Sequence, residues 1–545
     1  MTKTVCIVGA GVSGLTAIKS CLDEGLHPVC YEKDVDIGGL WNYSDIPKEN
    51  GPSLYKSCSV NTSKEMMCFS DFPIPKEFPN FMNHVYFKKY LDLYADKYDL
   101  RKYIKFQHTV NRAEKADDFE DSGDWLIETV NLRTERREKT RVNFVLACHG
   151  HLNEPNIPKF QGLKNFKGKL IHTHDYKHFY GYEGKRILLI GNGNSGVDVA
   201  SELSLHAKHL YMSVRHGLYV IQRTSDQGRP FDHIAVSRFR QNLPWSLMRP
   251  VMYHNIYSRY NHDRYGLAPN EKFNGGTVSI SDDLPNRIIY GKITMKTGIE
   301  RFTEDGAIFI DGTEVGDIDV VVLATGYKYS YDFVEEGVIR LEDAFPHLYD
   351  LVWPVDLQPA TLAVIGLVQP FGPVPPILEI QARWAARVFA KKCQLPSVAK
   401  RIADVDQMYR VTKKRFGITS SRYTIIVFFI QYLDKIAGYI GCKPRLWQLF
   451  FSDNSLWRKI YFGGATPPQW RLHGPGKWEG AKDAIERVEE RTWYPLQTRQ
   501  TGGYGKEGIY DGWISLLKKL LLGIAFLVLL KYLMSNGHMT FPEKA

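Results

Sequence analysis

The chain has 545 residues, of which 44% are hydrophobic, 13% aromatic and 24% charged; this supports large buried cores and excludes a disordered, collagen-like or low-complexity protein. At about 100 to 200 residues per domain it has room for two to four domains. Seventy Lys and Arg against 60 Asp and Glu give a formal charge of +10, and their scatter suits an anionic ligand or membrane surface and argues against nucleic acid as a partner.

The first informative segment is an apolar run, Val5 to Val8, that enters Gly9-Ala10-Gly11-Val12-Ser13-Gly14 and then a helix-like stretch from Leu15 to Cys21. Strand, glycine-rich turn and helix make a dinucleotide cradle: Gly9 permits the tight turn, Gly11 lets the backbone approach a pyrophosphate, and Gly14 lets helix and strand pack closely. A second strand, Val29 to Glu32, ends in an acid placed to hydrogen-bond an adenosine ribose. Gly38-Gly39-Leu40-Trp41 adds another point of close approach beside an aromatic. Asn42-Tyr43-Ser44 and Asn61-Thr62-Ser63 match the glycosylation pattern, yet the N-terminus reads as strand and helix, not as a secretory signal. The eight cysteines hold no CxxC pair and no zinc-like cluster with histidine. They read as reduced packing residues, and no metal is expected.

The cradle recurs where Arg186 to Ile190 enters Gly191-Asn192-Gly193-Asn194-Ser195-Gly196, with Val197-Asp198-Val199-Ala200 on the following helix. The next strand, His209 to Val214, ends in Arg215, where an acid would select NAD. Arginine there can pair with a 2′-phosphate, so NADPH is expected, and Arg223 offers a second cation nearby. Residues 227–288 then break the pattern with an aromatic, basic insertion containing Phe231, Phe239, Trp245, Tyr253, Tyr257 and Tyr260. A later strand, Ile318 to Leu323, runs into Ala324-Thr325-Gly326-Tyr327, and Phe144 to Gly150 echoes it.

These crossovers predict an α/β fold of two dinucleotide-binding Rossmann-like domains, the second inserted in the first. The expected division is 1–153 and 331–445 for the first domain, 154–330 for the second, and 446–512 for a C-terminal extension. Tyr423 to Ile430 is too short to span a membrane and is expected to pack or to lie at an interface. Residues 465–512, rich in Gly, Pro and Trp, are expected to form an extended connection. Trp513 to Met534 is a 22-residue stretch with an uncharged centre from Leu520 to Leu530. At about 1.5 Å per residue the whole stretch reaches roughly 33 Å, against a hydrocarbon core near 30 Å. It can cross if its flanking lysines snorkel, and it can equally lie in the interface or be buried.

Just ahead of the second cradle stands Phe166-x-Gly168-x-x-x-His172-x-x-x-Tyr176. With GGLW at 38–41, NTSKEMMCFSDFP at 61–73, ATGY at 324–327 and EIQARW at 379–384, it makes the chain resemble the flavin-containing monooxygenases over nearly its whole length. Tyr176, where related Baeyer–Villiger enzymes usually carry tryptophan, leans toward the heteroatom-oxidising branch. His149 departs from the family, which more often has threonine there.

The resemblance implies that NADPH reduces FAD and that a flavin hydroperoxide formed with O2 oxygenates soft nucleophilic nitrogen or sulfur in small molecules. It implies FAD contacts from Gly9, Ala10, Gly11, Val12, Ser13, Glu32, Leu40, Trp41, Asn61 and Thr62, to which the reading of the glycine-rich segments adds Gly14 and Gly39. NADPH contacts would come from Val60, Asn61, Ser195, Gly196, Val197, Asp198 and Arg215, to which the reading of the second cradle adds Gly191, Gly193 and Asn194. It makes Asn61 the catalytic residue, although on its own Asn61 reads as a turn residue or glycan acceptor. His172 reads as structural. The resemblance further implies a C-terminal anchor in the endoplasmic reticulum membrane with the catalytic body facing the cytosol. Ketone oxygenation, an uncoupled NADPH oxidase producing H2O2, and a membrane-anchored nucleotide-binding protein without turnover stay open, as does homo-oligomerisation.

Overall fold

The computed structural model describes residues 2–48, 51–269, 278–342, 345–416 and 421–499. Met1–Pro495 forms one compact unit and Leu496–Ala545 a second. The expected anchor at 513–534 lies outside the described residues. Among the described residues no helix is long and apolar enough to cross a membrane.

Two five-stranded parallel sheets organise the first unit. In one, the order is Leu362–Val364, Phe144–Ala147, Thr4–Val8, His27–Glu32 and Ile104–Phe106. In the other it is Ile293–Lys296, His209–Ser213, Arg186–Ile190, Val320–Leu323 and Lys169–His172. Their central strands are nearly unbroken apolar runs, buried at every position but the first residues Thr4 and Arg186, because a parallel strand is covered on both faces. Register is regular: Val8 lies opposite Tyr31 on one side and Ala147 on the other. Every strand of the second sheet falls in sequence between Ala147 and Leu362, so the chain leaves the first sheet, builds the second and returns.

Each sheet turns into a helix at its glycine-rich segment. Val12–Asp23 follows the first, packed along Pro375–Phe389, and Asn194–Leu203 follows the second. Residues 423–430 join the core: Ile425, Val427, Phe429 and Ile430 are buried, and Ile426–Phe428 pairs in parallel with Gln369–Phe371. In the insertion, Phe231–Ala235, Arg238–Gln241, Trp245–Tyr257 and Leu284–Ile289 are helices.

The C-terminal part of the body differs from expectation. Residues 465–495 carry short helices, Pro467–Arg471, Ala481–Glu486 and Val488–Trp493, instead of an extended connection. Composition misleads there because Trp470 is 2% exposed and Arg471 anchors a buried ion network. The Arg471 guanidinium meets Glu379 at 2.7 Å and Asp71 at 3.0 Å and donates to Ser70 Oγ at 2.6 Å. Lys19, on the helix after the first cradle, meets Asp71 at 3.1 Å. Two cations thus balance two carboxylates out of water, the arrangement that buried charges require.

Candidate functional site

A cavity of about 1230 Å³ is walled by both glycine-rich segments and the loop that carries Asn61. On the first side, Gly9, Gly11, Val12, Ser13, Glu32, Gly39, Leu40 and Trp41 line it. Gly14 does not, and it acts by packing: a Cβ there would overlap the Gly9 carbonyl oxygen. The helix cap is Gly11, which offers no side chain, so the first-turn N–H groups stay free for an anion. Gly39 passes so near that its Cβ would lie 3.1 Å from the Gly11 Cα. Ala10 contributes its backbone, donating N–H to Glu32 Oε2 at 2.6 Å, while Asp34 N–H donates to Glu32 Oε1 at 2.8 Å. An ionised carboxylate accepts about four hydrogen bonds, so Glu32 keeps acceptor capacity toward the cavity. A bare helix end, a glycine-only approach and a terminal acid fit the pyrophosphate and ribose of FAD.

The second side repeats the construction. Gly191 has φ 121°, and a Cβ there would enter the Ala324 carbonyl. Gly196 supports helix packing, with a Cβ falling 2.8 Å from the Gly191 oxygen, and Val197 is fully buried. Gly193 caps the helix without a side-chain hydrogen bond, and a Cβ on it would meet nothing within 4 Å, so its backbone face is open. Asn194, Ser195 and Asp198 line the cavity. These groups fit a second dinucleotide. Arg215 is exposed beyond the end of His209–Ser213 and does not line the cavity. No ion pair engages it among the described residues.

Val60, Asn61 and Thr62 reach the cavity between the two sides. The Ser63 N–H donates to Asp232 at 2.6 Å and pins this loop to the insertion. Arg223 reaches across: Nη2 donates to Asn61 Oδ1 at 2.7 Å, Nε to the Val60 carbonyl at 3.4 Å, and Nη1 pairs with Asp282 at 2.9 Å. Asp198 lies 3.9 Å from the same guanidinium and accepts from Tyr55 Oη at 2.8 Å. Burial pushes the Asp198 carboxyl up to about 6, with the Tyr55 hydrogen bond and Arg223 working against it. Arg223 was visible in the sequence as a cation, but its bond to Asn61 spans 162 positions and has no linear signal. Tyr55 and Asp282 carried none.

His149 lines the cavity without disturbing the crossover, since Cys148 N–H donates to the Val8 carbonyl at 3.0 Å. Its ring sits edge-on to Tyr331 and Phe333, its Nε2 donates to the Ser330 carbonyl at 2.9 Å, and burial pushes its pKa down to about 4. His172 is buried outside the cavity lining, where Nδ1 accepts the His174 N–H at 3.0 Å. Cys58 lines the cavity, and burial pushes its thiol up to about 12, the opposite of a reactive thiolate.

The family model for flavin-binding monooxygenase-like proteins matches residues 2–531. The N-oxide-forming dimethylaniline monooxygenase 2 of Mus musculus is 43% identical over 505 residues, 92% of this chain and 94% of that protein. Flavin-containing monooxygenase 3 of Rattus norvegicus is 41% identical over 536 residues, 97% of this chain and 100% of that one. Among solved structures, the S-allyl-L-cysteine S-oxygenase of Allium sativum superposes with a TM-score of 0.63 at 22% identity, covering 91% of this chain and 99% of its own. Cyclohexanone monooxygenase from Rhodococcus sp. Phi1, bound to NADP+, gives 0.57 at 17% identity, with coverages of 81% and 98%; at these identities the likeness is one of fold. With the family matched almost end to end and the twin cradles meeting at one cavity, the chain belongs to the flavin-binding monooxygenase-like proteins and is an FAD- and NADPH-dependent oxidoreductase that uses O2 to oxygenate heteroatoms in small molecules.

Proposed function

We propose that Asn61 is the catalytic residue of this oxygenation, acting on soft nucleophilic sulfur or nitrogen. The observation that carries the reading is the Arg223–Asn61 hydrogen bond of 2.7 Å. It occupies Oδ1, so the amide presents Nδ2 as its unbonded end, a neutral donor in the wall of the cavity. Bound FAD, once reduced by NADPH, supplies the two-electron chemistry that activates O2. Around it, a fixed amide donor stabilises negative charge developing on oxygen without acting as a strong acid. Leu243, Met248 and Met252 line the same cavity and give a nonpolar acceptor an apolar wall.

In this reading Gly9 to Gly14, Glu32, Gly39 to Trp41, Asn61 and Thr62 hold FAD. Val60, Asn61 and the segment from Gly191 to Asp198 hold NADPH. Arg215, an exposed cation without a carboxylate partner among the described residues, receives the 2′-phosphate. The boundaries 1–153, 154–330 and 331–445 divide the body into an FAD domain and its NADPH insertion. Residues 513–534 anchor it to the endoplasmic reticulum membrane with the body in the cytosol. A glycan on Asn61 would occupy the cavity, which favours the compartment where that sequon stays unmodified.

The test is Asn61→Ala. Oxide formation from a sulfide or tertiary amine is expected to fall about 100-fold or more, while anaerobic flavin reduction by NADPH stays within a few-fold. Equal loss in both steps would make Asn61 a coenzyme contact only, and no loss in either would remove it from catalysis.

A further inference from the structure

Two arginines on the short helix Arg238–Gln241 stand in contrasting surroundings. Arg238 is 2% exposed, and its guanidinium grips Asp434 with bonds of 2.7 and 3.0 Å and donates to Gln469 Oε1 at 3.2 Å. Gln241 adds two ties to the neighbouring chain: its Oε1 accepts the Ile430 N–H at 3.4 Å, and its carbonyl accepts from Gln431 Nε2 at 3.2 Å. The helix is thereby fixed. Arg240 rides on it, half-buried, and lines the cavity.

No carboxylate pairs with Arg240 among the described residues, and burial alone acts on it, lowering its pKa from the usual arginine value. The cavity carboxylates each have another partner: Glu32 the Ala10 amide, Asp198 Tyr55, Asp232 the Ser63 amide, Glu154 Lys328 and Asp332 the Ser330 hydroxyl. Gln241, Gln369 and Gln431 add neutral polar groups to the lining, and aromatic and cationic side chains complete it. Phe371 and Phe428 meet at 5.3 Å, and Arg415 lies 4.5 Å over the Phe428 ring. A partly desolvated guanidinium without a counter-charge carries an uncompensated cost, which an anionic ligand would offset. Arginine's planar fork suits a carboxylate in particular.

We propose that Arg240 is a specificity-determining residue that receives the carboxylate of acceptors carrying an anionic group at one end and a soft sulfur or nitrogen at the other. The inference rests on the heteroatom-oxygenation reading and narrows its substrate class. The chemistry is unchanged: the thioether sulfur gains one oxygen of O2, and the other leaves as water with two electrons from NADPH and two protons. The carboxylate takes no part in bond making.

The test compares 4-(methylthio)butanoate with its primary amide, using the full-length, flavin-loaded enzyme. Wild type is expected to favour the carboxylate, and Arg240→Gln to collapse that preference in kcat/KM by about 10-fold or more, through KM. Arg240→Lys should recover part of it. Calorimetry with the corresponding sulfones, which cannot be oxygenated, should give the same ordering in Kd. A wild type that does not prefer the carboxylate, or an Arg240→Gln effect equal on both acceptors, overturns the proposal. A raised KM for NADPH with both acceptors would assign Arg240 to a coenzyme phosphate instead. If neither thioether is oxygenated, the parent reading fails for this class, and the sulfone affinities still decide the role of Arg240.

Discussion

The two glycine-rich cradles share a plan and differ in enclosure. In the first, ten of the twelve residues of Val12–Asp23 are buried, and the strand-end acid Glu32 is bonded back onto Ala10. In the second, Asn194, Ser195 and Asp198 remain partly open on the cavity side, and the strand-end residue Arg215 stands in solvent. Both cradles face the cavity, but the helix of the first is packed more deeply into the fold, as suits a resident cofactor. The other keeps an accessible face, as suits a coenzyme that is exchanged at every turnover.

The sharpest way to break this contrast is to add one methyl group to each helix. Gly14→Ala drives a Cβ into the Gly9 carbonyl, and the expected result is protein purified without flavin absorbance and without measurable NADPH oxidation. Gly196→Ala meets the Gly191 carbonyl at a gentler 2.8 Å; it should keep its flavin and lose about 10-fold or more in the rate of reduction by NADPH. Flavin retained by the first variant, or lost by the second, would refute the difference in enclosure. Arg215→Ala sharpens the account of the open cradle. Losing a charge-assisted contact to phosphate should cut the preference for NADPH over NADH by about 10- to 100-fold in kcat/KM, and an unchanged ratio would move phosphate recognition to another cation.

A smaller effect concerns the end of the edge strand Lys169–His172. Burial, with the neighbouring His174 adding to it, pushes the His172 pKa from 6.5 down to about 4. The folded state therefore holds His172 neutral where the unfolded chain would protonate it. The associated stability is present above pH 6.5 and is lost as pH falls toward 4. By linkage the loss between pH 7 and pH 5 is about 2 kcal/mol. Denaturant melts of His172→Gln should show a pH dependence shallower by that amount; an identical slope would place the acid sensitivity elsewhere.

The parts of the molecule written in local spacing were legible before any coordinates. Strand, glycine turn, helix and terminal residue recur within about 30 positions at each cradle, because one supersecondary unit specifies its own geometry. Partnerships made by folding were not legible. The Arg223–Asn61 bond and the Arg238–Asp434 pair join positions 162 and 196 apart, and no periodicity encodes them. Residues 465–495 look like connecting chain because Gly and Pro punctuate the stretch from Pro467 to Gly480. What decides their structure is the burial of Trp470 against Asp434 and Phe429 and of Arg471 against Glu379, Ser70 and Asp71. Arg240 escaped notice for a related reason: a solvated arginine and a half-buried, unpaired one are spelled alike.

The Arg471 network has a consequence for biosynthesis. Its carboxylates come from Asp71 and Glu379, and its second cation, Lys19, sits on the helix of the first cradle. That sheet also waits for its edge strand, Leu362–Val364. An emerging chain can therefore assemble the inserted sheet, whose strands all lie within residues 169–323, well before the N-terminal sheet has its full set of neighbours. The order of synthesis and the order of completion are reversed. Until Arg471 leaves the ribosome, Asp71 and Glu379 lack their shared guanidinium, so flavin capture is expected to be a late, nearly full-length event.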